Sequence, residues 1–153
     1  MLKNRFFILI GMVCLVAFVS CSKHNQILKS TDNEYKYNAA MYYYGQKDYN
    51  RALQLFDVLQ SAYRGKPQGE EIAYCTAECY YNMKDYNIAS HYYKRYVVNY
   101  PFAKNTESAL FRSACCYYLE SPNIELDQED SYLAIKEFQS FIDLYPQSNL
   151  VDS

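Results

Sequence analysis

Four cysteines in the body of the chain, Cys75, Cys79, Cys115 and Cys116, come nearest to having the residue type and spacing for chemistry. Cys75 and Cys79 share one helical face, an arrangement that with Cys115-Cys116 would suit a metal. No histidine lies near them, and adjacent Cys115-Cys116 lacks a usual zinc spacing. Cys79 and Cys116 occupy equivalent points of a repeat, on neighbouring helices roughly 8–10 Å apart. A disulfide needs Cα atoms within about 7 Å. Small buried thiols are therefore expected. The carboxylates Glu70-Glu71, Glu125 and Glu129-Asp130 include no pair with a general base beside it, and His24 and His91 have no nucleophile at a matched position. Asp48, Asp85 and Asp130 stand at helix junctions, where Asp ordinarily caps a helix. With no catalytic constellation, metal site or cofactor motif, the expectation is a protein that binds rather than an enzyme.

The elements that would carry binding are repeated. Residues 47–56, KDYNRALQLF, return as residues 84–93, KDYNIASHYY, at an offset of 37. The same offset aligns Ala40, Ala77 and Ala114, and beside them Tyr43, Tyr80 and Tyr117, then Tyr44, Tyr81 and Tyr118. Tyr37, Tyr74 and Phe111 align as well. In the second half of the unit, Ala52 and Ala89 are followed one helical turn later by Phe56 and Tyr93. Their third copy, Ala134 and Phe138, is displaced by 45, so eight extra residues fall in LESPNIELDQE. That stretch holds Pro122 and no apolar period, and reads as an enlarged loop.

Each unit is thus two helices, with GQKD around Gly45 as a stop signal and a Pro (Pro67, Pro101, Pro146) near the unit's end. Small Ala residues let the two helices approach, and the aromatic residues fill the space beside the contact. The composition agrees: 19 Tyr, four Gly and four Pro argue against an all-β chain full of tight turns. The net charge of −2 offers no footprint for nucleic acid.

The first residues are of another kind. Lys3 and Arg5 precede an apolar run from Phe6 to Val19, too short for the roughly 20 residues that span a bilayer, and matching a secretory signal. Removing residues 1–20 leaves a charge of −4. Phe18-Val19-Ser20-Cys21 resembles a bacterial lipoprotein box of the relaxed kind found in Bacteroidetes, which implies cleavage before Cys21 and its lipidation, palmitate included. The competing reading is ordinary signal cleavage with an unmodified Cys21. Cys14 is the poorer candidate, lacking a small residue before it. The absence of an acidic residue directly after Cys21 implies, by resemblance to known sorting rules, the periplasmic face of the outer membrane.

The repeats resemble tetratricopeptide repeats over about residues 33–148. The expected fold is all-α: a tetratricopeptide superhelix of about three helix pairs after a signal peptide and short tether. The divisions are 1–20 signal, 21–32 lipidated Cys and polar tether, 33–69 repeat 1, 70–106 repeat 2, and 107–153 repeat 3 with its enlarged turn and no capping helix. Ser131 stands in repeat 3 where Tyr49 and Tyr86 stood.

NYPFAKNTESALFR and CCYYLESPNIELDQEDSYLAIKEFQSFIDLYP, with the signal and Cys21, resemble the BamD family, lipoproteins of the β-barrel assembly machinery in Gram-negative outer membranes. Family members carry roughly five repeats, so the likeness is to their N-terminal half. The resemblance implies a lipid-anchored scaffold whose partners are BamA-like assembly subunits and unfolded outer-membrane proteins. Two alternatives stand beside it: another tetratricopeptide envelope adaptor, and a glycan-binding lipoprotein of the SusD type. The latter needs a longer chain and usually Trp platforms, of which this chain has none.

In such an array the first helices of the pairs line the groove. Tyr37, Tyr74 and Phe111 form one candidate ladder for peptide binding, and Tyr44, Tyr81 and Tyr118 another. The competing reading is that these rings pack between neighbouring helices. Tyr43, Tyr80 and Tyr117, one residue earlier, are expected in the core.

Overall fold

A computed structural model describes residues 23–121 and 129–151. The signal, Cys21 and most of the enlarged loop lie outside these residues. Seven helices are described: α1 (23–29), α2 (Asn33–Gly45), α3 (Tyr49–Leu59), α4 (Pro67–Asn82), α5 (Tyr86–Asn99), α6 (Thr106–Glu120) and α7 (Glu129–Leu144). There is no strand among the described residues, so the all-α expectation holds. Each helix from α2 onward packs against the next, which gives three helix pairs stacked one on another.

The repeated alanines are where the helices meet. Ala40, Ala77, Ala114, Ala52 and Ala89 are fully buried, and Ala134 nearly so. The displacement by 45 therefore leaves Ala134 in the same structural place as Ala52 and Ala89. One turn later Phe56 and Tyr93 are buried, and Phe138 is half-buried. A further three residues along, Leu59, Tyr96 and Phe141 are all buried, completing the apolar stripe of each second helix.

The two tight turns between paired helices are built alike, and not on the glycine that the sequence suggests. Gly45 ends α2 inside the helix, and the left-handed residue is Lys47 (φ 61°), repeated at Lys84 (φ 67°). Lys47 N–H donates to the Tyr44 carbonyl at 2.9 Å and Asp48 N–H to that of Tyr43 at 2.9 Å. Lys84 and Asp85 repeat this to Tyr81 and Tyr80 at 3.0 Å each. This is the Schellman closure, which satisfies the last carbonyls of α2 and α4.

Of the three expected caps, Asp48 accepts from Arg51 N–H at 3.4 Å. Asp85 stands at the cap position without a side-chain bond, and Asp130 falls within the first turn of α7. Asp32, which no repeat pattern marked, caps α2 by accepting from the backbone of Glu34 and Tyr35.

Glycine is required at Gly69, buried in the first turn of α4. A Cβ there would come within 2.2 Å of the Tyr63 carbonyl oxygen. Pro67 at the first position starts the same helix.

One expectation is corrected. The stretch taken as a polar tether contains α1, and its His24 and Ile27 are buried. His24 shares a 2.9 Å hydrogen bond with Gln54 Oε1 through Nε2, and its ring meets Tyr43 edge-on at 5.4 Å. The apolar pair Ile27-Leu28 supplies a docking face that mean polarity concealed, and both pack on the core of the first helix pair.

Candidate functional site

The two aromatic ladders take different places. Tyr37 is half-buried; its ring lies 5.7 Å from that of Tyr63, and its hydroxyl donates to Glu71 of α4. Tyr74 repeats the geometry one unit on. It meets Ser108 of α6 at 3.2 Å, and its ring contacts Tyr93 and Tyr96 edge-on at 6.2 and 5.4 Å. Phe111 has no hydroxyl, and its ring is held between Phe138 at 5.7 Å and Phe141 at 5.3 Å. All three rings thus take part in packing between helices, the role that competes with peptide binding.

The second ladder is half-buried in its first two copies and exposed in the third. Tyr44 rests against Tyr49 at 6.2 Å, and Tyr81 repeats that contact with Tyr86 at 5.5 Å. Burial raises the hydroxyl pKa of both above the ordinary tyrosine range. Tyr118 is 66% exposed, and no ring meets it among the described residues. Ser131 stands at the position that Tyr49 and Tyr86 occupy in the first two copies.

Of the three residues expected in the core, Tyr43 and Tyr80 pack against it while half-buried, and Tyr117 is half-buried outside those clusters. Arg51 covers the ring of Tyr43 at 5.5 Å and Lys94 that of Tyr117 at 4.7 Å, while Tyr80 stacks on Tyr92 at 5.0 Å. Long basic side chains thus act as lids at a wet edge where apolar residues would close a core.

Between the second and third pairs lies a charged cluster. Glu78 of α4 is 8% exposed; it accepts from the Tyr93 hydroxyl at 2.5 Å and pairs with Arg112 Nε at 3.1 Å. The Arg112 guanidinium also sits 4.9 Å over the Tyr81 ring. Burial and the neighbouring carboxylate raise the Tyr93 hydroxyl pKa far above its usual value. One carboxylate thereby ties α4, α5 and α6 together beside Tyr81. The signal that could have found it is a spacing. Tyr37–Glu71, Tyr74–Ser108 and Glu78–Arg112 are each 34 apart, one helical turn less than the repeat. That offset marks contact between successive first helices.

Cys75, Cys79 and Cys116 are buried free thiols, as expected, and Cys115 is half-buried. Burial pushes the first three up to about 12, so they stay protonated and weakly nucleophilic. No group of three or more His, Cys, Asp or Glu among the described residues is placed to hold a metal. His91 is exposed on α5 beside Tyr92. No described helix is long and apolar enough to cross a membrane.

Stacked helix pairs bearing half-exposed aromatic rings define a helical-repeat protein. Within that class the chain belongs to the YfiO family of outer membrane lipoproteins, whose pattern matches residues 29–152, more than three quarters of its length. The BamD-like likeness drawn from the sequence points to this same family. No curated protein matches the chain.

Proposed function

We propose that this outer membrane lipoprotein acts as a scaffold in β-barrel assembly. Anchored through lipidated Cys21 at the periplasmic face, it holds unfolded outer-membrane proteins or BamA-like assembly subunits along its first-helix face. The observation that carries the reading is the second ladder, ending in a Tyr118 ring that is 66% exposed on a chain of this family. Extended segments rich in aromatic residues gain apolar area on such rings while the hydroxyls remain hydrated. Tyr37 and Tyr74 serve this face from behind, by joining α2 to α4 and α4 to α6, and Phe111 by packing α6 on α7.

The test is site-specific photocrosslinking in cells from a benzophenone side chain at position 118. Adducts with barrel precursors or assembly subunits are expected. They should fall sharply when Cys21→Ser removes the thiol that accepts lipid, together with loss of a palmitate-analogue label. Adducts of undiminished yield in the unanchored variant, or none at position 118, would overturn the proposal.

A further inference from the structure

A second feature lies away from both aromatic ladders. An open cleft of about 600 Å³ runs between the second helices α3 and α5 and the start of α4, and none of the ladder residues lines it. Its walls carry Gln60, Arg64, Gly69, Arg95, Asn99 and Tyr100. Two guanidiniums and no carboxylate line this cleft, on a chain whose net charge is −2.

Arg95 is held without being neutralised. Arg95 Nη2 donates to Gln60 Oε1 at 3.0 Å, and its guanidinium sits 5.1 Å from the Tyr92 ring centre. Neither contact cancels its charge. Arg64 is exposed and forms no ion pair among the described residues. The adjacent carboxylate, Glu70, does not line the cleft and accepts from the Tyr96 hydroxyl at 3.0 Å. By contrast Arg51, Lys94 and Arg112 each have a carboxylate partner. A guanidinium presents a planar fork of donors that suits an oxyanion. One pre-positioned by an amide and a ring loses less entropy when it binds.

From this arrangement we infer that the cleft is a docking site for an acidic peptide segment, whose carboxylates Arg64 and Arg95 receive. A peptide fits better than a free phosphate. Asn99 offers a carbonyl acceptor as well as an amide donor, and a peptide backbone supplies the N–H to meet it, whereas a phosphate dianion brings acceptors only. The cleft is also open, so a chain can run through it.

The test titrates the purified chain with a fluorescein-labelled poly-glutamate peptide at low salt, read by anisotropy, with a poly-lysine peptide as control. Saturable binding of poly-glutamate alone is expected, weakened roughly tenfold or more in an Arg64→Gln, Arg95→Gln variant whose helicity is unchanged. An Arg51→Gln variant, altered away from the cleft, should bind as the parent does. Equal loss in Arg51→Gln would reduce the effect to net charge and overturn the proposal. So would unchanged affinity in the double variant, or displacement of the peptide by an equal concentration of inorganic phosphate. Because the ladders are untouched in these variants, the crosslinks at position 118 should survive, and the two proposals fail separately.

Discussion

Removing the Arg112 charge should expose how much of the array's rigidity rests on one carboxylate. In Arg112→Met the aliphatic stem stays, but Glu78, 8% exposed, loses its cation and keeps hydroxyl partners alone, with Tyr93 at 2.5 Å. Removing one partner of a buried ion pair costs about 3–5 kcal/mol. The Arg112 side chain is itself 35% exposed, so water replaces part of the lost interaction, and the loss should be nearer about 2 kcal/mol. Adding Glu78→Gln removes the stranded charge while keeping an acceptor for Tyr93. The double variant should therefore be more stable than Arg112→Met alone, with a coupling of about 1 kcal/mol or more. Urea unfolding followed by circular dichroism measures Arg112→Met, Glu78→Gln alone and the double variant, with a slope of about 1–3 kcal/mol/M converting midpoints to energies. Strictly additive effects, or an Arg112→Met midpoint equal to the parent's, would refute the idea that this pair joins the second and third helix pairs.

Two further outcomes follow from the turns and the thiols. Lys84→Gly should stabilise the fold by about 0.5 kcal/mol, because relief of the left-handed strain at φ 67° outweighs the extra freedom of the unfolded chain; an unchanged or lower melting temperature would contradict this. The buried thiols of Cys75, Cys79 and Cys116, pushed up to about 12 from an ordinary 9.0, favour the fold fully below pH 9. Above it the unfolded chain releases protons that the folded chain retains, so the urea midpoint should fall steadily from about pH 9 toward 11. A flat midpoint over that range would show the thiols to be hydrated.

The repeated words carried the fold well, because identical local interactions recur wherever they do. Ala52, Ala89 and Ala134 mark helix contacts in any one copy, and the displaced third copy was legible once the extra residues were assigned to a loop. The turn chemistry was harder to read. Gly45 is the residue a sequence reader trusts, yet a lysine takes the left-handed position because the Schellman bonds and the following helix hold it there. The short helix α1 escaped notice since its docking face is only Ile27 and Leu28 with a buried histidine. At the candidate site, aligned aromatic positions were visible, but which rings are covered depends on partners in other copies. Tyr118 meets no ring among the described residues, and Ser131 stands where Tyr49 and Tyr86 supply one in the other copies, a difference between repeats rather than a likeness. The Glu78–Arg112 pair was invisible at the repeat offset itself and appears only one helical turn short of it.

The central claim, that the second ladder receives aromatic segments of unfolded barrel proteins, is tested most directly at Tyr118. Tyr118→Ser removes a ring that is 66% exposed and so leaves packing almost untouched. The measurement is paired on one preparation: anisotropy of a fluorescein-labelled peptide carrying the aromatic end strand of a barrel protein, and helicity by circular dichroism. A single aromatic anchor of this kind should be worth roughly tenfold in affinity, with helicity equal to that of the parent. Unchanged affinity at unchanged helicity would contradict the account and leave the ladder as packing alone.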